Sequence, residues 1–237
     1  MTRDVIIACD FAGAEKTLDF LEMLGAARPF VKIGMELYYA EGPGIVRMLK
    51  NRGHRVFLDL KLHDIPTTVQ KSMAVLRDLG ADMVNLHASG GIAMMEAAVA
   101  GLTRPDGTRP LLIAVTMLTS TDEPHMRREL LIDAPLPAVV GHYAENARDA
   151  GLDGVVCSPL EAAGVHERCG AGFLTVTPGV RFADGDKGDQ VRVTTPAGAR
   201  EMGSDYIVVG RPITASADPA SAYARCMREF LGGDKQT

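Results

Sequence analysis

The sequence predicts an α/β fold, a (β/α)8 TIM barrel in which residues 1–237 form a single domain. Eight short apolar runs alternate with amphipathic segments of helix length from one end of the chain to the other. Several runs are almost continuous in Val, Ile and Leu, which is typical of parallel strands covered on both faces. A chain of 237 residues matches the usual size of such a barrel, and no linker or low-complexity segment divides it.

The predicted strands follow one another at distances that leave room for a helix after each. They are Val5–Cys9, Phe30–Ile33, Val56–Leu60, Met83–Leu86, Leu111–Val115, Gly154–Cys157, Phe173–Val176 and Tyr206–Val209. The rival doubly wound sheet would have about six strands and a Gly-x-Gly-x-x-Gly sequence after the first. The first run instead ends in ACDFAGAEK, which lacks that sequence, so the barrel is favoured.

The segments between the runs carry the apolar spacing expected of helices that cover a barrel. Clear examples are GPGIVRMLKNRG at 42–53, TTVQKSMAVLRDLG at 67–80 and AVVGHYAENARDAG at 138–151. Each of the three ends at a glycine, which commonly terminates a helix.

Composition and charge argue against several classes of protein. A net charge of -5 gives no general attraction to nucleic acid or anionic membranes, and no stretch approaches the roughly 18–20 apolar residues of a membrane span. The N-terminal MTRDVIIACDFAG has a short apolar patch interrupted by Asp10, unlike a signal peptide. The four cysteines and six histidines show no disulfide or zinc-ligand spacing. We expect a cytoplasmic protein that binds neither nucleic acid nor membrane and has no metal site.

The stretch FLDLKLHDIP, from Phe57 to Pro66, places three charges at the end of a buried strand. Side chains alternate along a strand, so Asp59 and Lys61 are expected to share one face while Leu60 faces the helices. The carboxyl ends of barrel strands carry the chemistry in this fold, and unpaired buried charges are costly. We therefore expect a working site in the barrel mouth rather than a solvated ion pair. Asp64 lies past the strand and can reach sideways, across a subunit boundary.

Other strands contribute polar residues to the same mouth. The first strand ends at Asp10, the second carries Lys32 and the fourth ends at His87. A lone histidine at the end of a buried strand is more often a structural hydrogen-bonding residue, and we favour this interpretation for His87.

The last two strand ends predict an anion site. In many barrels the loops after strands seven and eight bind phosphate through backbone N–H groups and nearby cations. Gly179 and Gly210 permit close backbone approach, while Arg181 and Arg211 supply guanidinium groups suited to bidentate phosphate binding. The segment RFADGDKGDQ, at 181–190, is expected to form a mobile active-site loop. A surface position is the alternative for either arginine taken alone.

Together these residues resemble a known family. DLKLHDIPTTV matches the D-x-K-x-x-D-I-P signature of orotidine 5'-monophosphate decarboxylases of the short bacterial type. The resemblance continues in order through CDF, VKIG, VNLHASGG, TMLTS, TPGVR, GDQVR and IVVGRPI. An ordered set of this kind is much more specific than a single D-x-K-x-x-D.

The resemblance implies a homodimeric barrel that converts orotidine 5'-monophosphate (OMP) to uridine 5'-monophosphate (UMP) in pyrimidine biosynthesis, without metal or cofactor. It implies that Lys61 donates a proton to C6 of the pyrimidine and that Asp59 lies beside the departing carboxylate. Lys32 and Asp64 complete a charge network, in which Asp64 comes from the partner subunit with Thr68 beside it.

The resemblance also implies the residues that bind the substrate. Asp10 and Lys32 hold the ribose hydroxyls, while Thr119 and Gln190 contact the pyrimidine or close the loop over it. The remaining residues bind the phosphate: Arg181, Gly210 and Arg211, with help from Gln190.

Two other functions are consistent with parts of the pattern. Sugar-phosphate decarboxylases or aldolases of the same superfamily, such as 3-keto-L-gulonate 6-phosphate decarboxylase, share D-x-K-x-x-D but use Mg²⁺ and an enediolate intermediate. The Ile-Pro after Asp64 and the GDQVR segment favour the nucleotide over a sugar phosphate. A non-catalytic phosphate-binding barrel that serves as a scaffold would not need Lys61 and Asp59 together at one strand end.

Overall fold

The computed structural model of the chain describes residues 3–184 and 194–233 and contains a closed barrel of eight parallel strands. The strands are β1 (Asp4–Ala8), β2 (Phe30–Gly34), β3 (Arg55–Leu62), β4 (Met83–His87), β5 (Leu111–Val115), β6 (Gly154–Val156), β7 (Leu174–Thr177) and β8 (Tyr206–Val209). Each strand pairs with the next in sequence, and β8 closes the barrel against β1. The predicted fold class is confirmed, and the strand bounds differ from the predicted runs by at most two residues.

Helices surround the barrel and connect its strands. They are α1 (Ala14–Met23), α2 (Met35–Glu41), α3 (Gly44–Asn51), α4 (Pro66–Arg77), α5 (Ile92–Leu102), α6 (Glu123–Glu129), α7 (Leu136–Asp149), α8 (Ala162–Cys169), α9 (Pro196–Glu201), α10 (Arg211–Thr214) and α11 (Pro219–Leu231). The segments predicted at 42–53, 67–80 and 138–151 correspond to α3, α4 and α7. Within the described residues, no helix is both long and apolar enough to cross a membrane.

Two separate hydrophobic layers follow from the alternation of side chains along the strands. One layer lies between the strands and the helices and includes Val31 and Leu58. The other fills the inside of the barrel and consists of Ile6, Ala8, Phe30, Phe57, Met83, Ile113, Val176, Tyr206 and Val208. In β2, β3 and β4, the inward position that follows this second layer toward the carboxyl end of the strand is polar, which places the candidate site on an apolar floor.

A Gly-x-Asp motif precedes three of the strands and links each of them to its neighbouring strand by hydrogen bonds. The aspartates precede β4, β6 and β8, and each accepts a hydrogen bond from a backbone N–H of the preceding strand. The pairs are Asp82 with Val56 at 2.7 Å, Asp153 with Leu112 at 2.7 Å and Asp205 with Thr175 at 2.8 Å. A basic side chain contacts each aspartate as well; these side chains are Lys50, Arg109 and His166, respectively. This end of the barrel therefore carries structural polar groups, opposite the end that carries the candidate site.

Candidate active site

Three buried polar side chains stand directly on the apolar floor of the barrel mouth. Side chains two residues apart on a strand point to the same face. Lys32, Asp59 and Asn85 therefore point into the barrel, as do Phe30, Phe57 and Met83, which come two residues before them. Their exposed fractions are 9% for Lys32, 7% for Asp59 and 1% for Asn85. Charged and amide groups rarely reach such burial unless they are paired, so their partners define the site.

Carboxylates and ammonium groups alternate across the mouth in one continuous chain. Lys32 Nζ lies 2.9 Å from Asp10 Oδ1 and 3.3 Å from Asp59 Oδ2. Lys61 Nζ lies 2.6 Å from Asp59 Oδ1. The sequence prediction that the ends of the first three strands meet at one place is confirmed for these four residues.

The surroundings favour the ionised forms of the two most buried members. Burial opposes the charge on Asp59, but Lys32, Lys61 and the hydrogen bond from Asn85 outweigh it and lower the pKa of the carboxyl group. Burial likewise opposes the charge on Lys32, but Asp59 and Asp10 outweigh it and raise the pKa of the ammonium group. The site therefore holds fixed, closely spaced opposite charges at neutral pH.

Lys61 reaches the site through an irregularity that strand alternation does not predict. The pairing of β3 with β4 runs from Leu58↔Val84 to Leu62↔Leu86, so β3 has two extra residues between these points. Lys61 occupies this bulge with a φ of 52°, in the left-handed region that non-glycine residues seldom adopt. Asp59 and Lys61 do share one pocket, as expected, but the bulge and not a regular strand directs the lysine.

The series of ion pairs from Lys32 to Lys61 forms one wall of a pocket whose other walls are mostly apolar. Lys32, Asp59, Lys61 and Thr119 line it together. The apolar lining consists of Phe57, Val115, Met117, Leu118, Val156, Cys157, Pro178 and Val208. Ligand pockets are commonly built in this way, with a few polar groups in an apolar cleft.

Gly34 makes room for the ion pair between Asp10 and Lys32. A Cβ atom on this residue would lie 3.1 Å from Asp10 Oδ1 and 3.2 Å from Lys32 Nζ. Both distances are tighter than ordinary contacts of a Cβ atom, so a side chain here would push the pair away from its present position.

Asp64 and Thr68 lie outside this cluster in the single chain. Both are exposed, at the point where β3 leads into α4. Asp64 Oδ1 accepts a hydrogen bond from the N–H of Ile65 at 2.7 Å. In the part of the chain that the structure describes, Asp64 forms no ion pair with Lys61.

The loops after β7 and β8 leave neighbouring strands at the same edge of the barrel. Gly179 follows β7 with a φ of 85°, which favours glycine, and its carbonyl accepts a hydrogen bond from Thr194 N–H at 3.0 Å. Arg181 comes two residues later, and Gly210 and Arg211 directly follow β8. Gln190 lies outside the described residues.

His87 ends β4 beside a second imidazole. Its ring centroid lies 5.6 Å from that of His63. Burial, followed by the proximity of His63 and Lys61, lowers the pKa of His87 and favours its neutral form. Among the described residues, no group of three or more His, Cys, Asp or Glu side chains is arranged to hold a metal ion.

A comparison with protein families covers nearly the whole chain. Residues 3–226 match the model of the Orotidine 5'-phosphate decarboxylase / HUMPS family. The chain belongs to this family. The predicted resemblance to orotidine 5'-monophosphate decarboxylases is thereby confirmed.

Relatives named orotidine 5'-phosphate decarboxylase match this chain over nearly their whole length. Orotidine 5'-phosphate decarboxylase from Bacillus caldolyticus is 57% identical over 240 residues, which cover 100% of this chain and 98% of the relative. Orotidine 5'-phosphate decarboxylase from Geobacillus kaustophilus (strain HTA426) is 56% identical over 240 residues, with the same coverage of both chains.

Solved structures of similar chains have the same fold. Orotidine 5'-phosphate decarboxylase from Lactobacillus acidophilus superposes with a TM-score of 0.86 at 42% identity and covers 96% of this chain and 99% of its own. A protein from Geobacillus kaustophilus described as an uncharacterized conserved protein superposes with a TM-score of 0.84 at 52% identity, and the match covers 95% and 99% of the two chains.

Two residues of the site in this member of the orotidine 5'-phosphate decarboxylase family, Asn85 and Gly34, were not predicted from the sequence. Asn85 contacts both Asp59 and Lys61, and Gly34 leaves room for the Asp10–Lys32 pair. The signal for Asn85 was present, because it is a polar residue in the middle of the apolar run MVNLH and shares the inward face with Met83. No comparable signal distinguished Gly34 from the other glycines.

Proposed function

We propose that this site decarboxylates OMP to UMP, as a step of pyrimidine biosynthesis, and that it needs neither a metal ion nor a cofactor. The observation that carries the proposal is the ammonium group of Lys61 beside the buried carboxylate of Asp59, 2.6 Å apart in one pocket. The family match and the relatives named orotidine 5'-phosphate decarboxylase support the same reaction.

Lys61 acts as the proton donor in this mechanism. Breaking the bond between C6 and the carboxylate releases CO2 and leaves an electron pair on C6, in the plane of the pyrimidine ring. The ring delocalises this pair poorly, so a nearby cation is needed to stabilise it. The Lys61 ammonium group supplies that charge and then transfers a proton to C6 as a general acid. Solvent returns a proton to Lys61 after UMP leaves.

Asp59 acts on the carboxylate that departs. Two carboxylates about 4 Å apart repel each other by about 4 kcal/mol at an effective dielectric constant of about 20. This repulsion disappears as CO2 leaves, so it lowers the barrier by raising the energy of the bound substrate. Asp59 also fixes the position of Lys61, and we assign the larger contribution to stabilisation of the developing charge by that lysine.

The residues around the pair hold the rest of the nucleotide. Asp10 and Lys32 bind the ribose hydroxyls, and the ion pair between them orients both groups. Thr119 lines the same pocket and contacts the pyrimidine. Arg181, Gly210 and Arg211 bind the phosphate at the edge formed by β7 and β8, with help from Gln190. The loop predicted at 181–190 extends outside the described residues beyond 184, so its part in binding stays a prediction.

The site is completed by a second subunit. Asp64 and Thr68 are exposed in the single chain, and the neighbouring Ile65 leaves 67% of its surface uncovered. An exposed apolar residue beside a carboxylate that the mechanism needs is consistent with a two-fold interface at this edge. In such a homodimer Asp64 enters the active site of the partner, close to Lys61, and Thr68 lies beside it.

A cytoplasmic location is part of the same proposal. None of the four cysteines forms a disulfide bond, and three of them are buried. Cysteines without disulfide bonds are typical of proteins that work in a reducing compartment.

The test is the loss of ultraviolet absorbance when the purified protein is mixed with OMP, with and without EDTA. The proposal requires turnover of OMP to UMP at the same rate in both samples. Turnover that EDTA abolishes would favour the Mg²⁺-dependent mechanism of sugar-phosphate decarboxylases or aldolases in this superfamily. Absence of turnover would reject the proposed reaction.

A further inference from the structure

We infer that Asn85 is a positioning residue of this site, which holds the Asp59 carboxylate and the Lys61 main chain in one fixed arrangement. The catalytic consequence rests on the proposed function, whereas the arrangement itself does not.

Both ends of the Asn85 amide are used, and each contacts a different member of the ion pair. Nδ2 donates to Asp59 Oδ1 at 2.7 Å, and Oδ1 accepts from the backbone N–H of Lys61 at 2.8 Å. The N–H of Lys61 can only donate, so it determines which end of the amide is the oxygen. The nitrogen therefore faces the carboxylate.

The burial of Asn85 argues against an incidental role. A side-chain amide that is 1% exposed carries a desolvation cost unless its hydrogen bonds are made, and an apolar residue would fill the same space without that cost. The inward neighbours at the same level are the charged residues Lys32 and Asp59. An amide is thus placed where the charged chain meets the apolar floor.

The bond to Lys61 supports the bulge in β3. Ladder pairing with β4 is interrupted between Leu58 and Leu62, so the N–H of Lys61 lies where the regular pattern does not continue. The side chain of Asn85, from β4, supplies the acceptor. This bond holds Lys61 at a φ of 52°, a conformation that costs free energy and directs the ammonium group into the mouth.

The bond to Asp59 fixes the carboxylate plane. Asp59 Oδ1 accepts from both Lys61 Nζ and Asn85 Nδ2, while Oδ2 faces Lys32. Without the amide, the two lysines alone would hold the carboxylate, and both have long side chains with several rotatable bonds. Asn85 is the rigid contact, because it is short and buried in a strand.

Three variants separate this role from a merely structural one. Asn85→Ala removes both hydrogen bonds without adding volume. Asn85→Asp keeps the acceptor for Lys61 N–H but sets a second carboxylate against Asp59. Ser204→Ala is the matched control, because Ser204 is fully buried, lies just before the amino end of β8 and accepts a hydrogen bond from Thr177 at 2.9 Å.

We expect Asn85→Ala to lower kcat at least tenfold while KM for OMP changes less than about threefold, and Ser204→Ala to leave both unchanged. Asn85→Asp should move the acidic limb of the kcat profile to higher pH, because the two carboxylates share one proton more readily than Asp59 alone. An unaltered kcat in Asn85→Ala, or an unaltered pH profile in Asn85→Asp, would overturn the inference.

A measurement without substrate keeps this inference distinct from the proposed reaction. The titration of the Asp59 carboxyl carbon, followed by ¹³C NMR in the free protein, should shift to higher pH in Asn85→Ala and stay in place in Ser204→Ala. An unshifted titration overturns the arrangement whatever the activity. If the wild type shows the shift relative to Asn85→Ala but does not convert OMP, the positioning role holds and the proposed function is rejected.

Discussion

Lys61 Nζ lies 2.6 Å from Asp59 Oδ1, and both residues lie within the break of the β3–β4 ladder between Leu58 and Leu62. The ammonium group is thus held against a buried carboxylate from a backbone position that bears strain. The proton donor of the proposed reaction is therefore preorganised before substrate arrives, which is the condition for efficient electrostatic stabilisation of a transition state.

Replacement of Lys61 by alanine should remove nearly all turnover of OMP and leave the fold intact. One side chain supplies both the proton and the balancing positive charge. The measurement is kcat from the absorbance assay, with circular dichroism to confirm folding. Lys50→Ala is the control, because Lys50 pairs with Asp82 at the other end of the barrel. A Lys61→Ala protein that kept more than about a tenth of wild-type kcat would have lost under about 1.4 kcal/mol of barrier stabilisation, which contradicts the role.

Asp59 should make the stability of the fold depend on pH in one direction. Its pKa in the folded protein is lowered, because Lys32, Lys61 and Asn85 outweigh the effect of burial. The stabilisation is therefore fully present above the pKa of an unfolded aspartate, about 3.9, and is lost as the pH falls through the lower folded value. The free energy of unfolding, measured in urea from pH 7 to pH 3, should differ most between wild type and Asp59→Asn at neutral pH and least in acid. A difference that stays constant with pH would be inconsistent with this linkage.

The strands could be predicted because each is apolar and bounded by polar or turn-forming residues. The four charged residues at the ends of β1, β2 and β3 could also be predicted to meet, since parallel strands in a barrel end at one rim. The bulge at Lys61 could not, because it depends on how β3 pairs with β4 and not on its own composition. Asn85 was missed for a related reason: its role depends on two partners about 25 residues away in sequence. The places of Asp64 and Gln190 in the site stay predictions, the first because it needs a partner subunit.

The Gly-x-Asp motif at the amino ends of the strands should contribute to the stability of the fold and not to catalysis. Asp82 accepts the N–H of Val56 and pairs with Lys50, so its removal leaves a backbone donor and a cation without their partner. We expect Asp82→Ala to lower the free energy of unfolding by about 1–3 kcal/mol. Urea denaturation measures this change, and kcat for OMP should equal that of the wild type. Asp78→Ala is the matched control at an exposed aspartate, where little change is expected. Equal free energies of unfolding for the two variants would mean that the Gly-x-Asp motif does not stabilise the fold.

Arg211→Ala should weaken binding of the substrate phosphate group more than it slows the reaction at the pyrimidine ring. We expect kcat/KM for OMP to fall about tenfold to a hundredfold, as for loss of roughly 1.5–3 kcal/mol from hydrogen bonds to a charged group. Phosphite dianion, added with a phosphate-free substrate, should activate the wild type but not the variant. Arg228→Ala, on the exposed face of α11, provides a control with the same charge change. Equal phosphite activation in wild type and Arg211→Ala would remove Arg211 from the phosphate site.

The shared active site predicts that two inactive proteins restore each other. Lys61→Ala and Asp64→Ala should each be nearly inactive alone. In a mixed dimer, one site carries both defects, while the other combines an intact Lys61 from one chain with an intact Asp64 from its partner. Random pairing makes about half of the dimers mixed, so activity should approach roughly a quarter of the wild-type value. The measurement is turnover of OMP after the two variants are refolded together at equal concentration.

The exchange of subunits must be verified by a separate observation, such as mass spectrometry of the intact dimers with one chain isotopically labelled. The matched control is a mixture of Lys61→Ala with Asp59→Ala, two residues that contact each other within one chain. In that mixture every site of every dimer holds at least one defect, so no activity should return. If Asp64 served the site of its own chain, the mixture of Lys61→Ala with Asp64→Ala would behave in the same way. Verified exchange without recovery would therefore place Asp64 in its own subunit's site and remove the reason for a shared one.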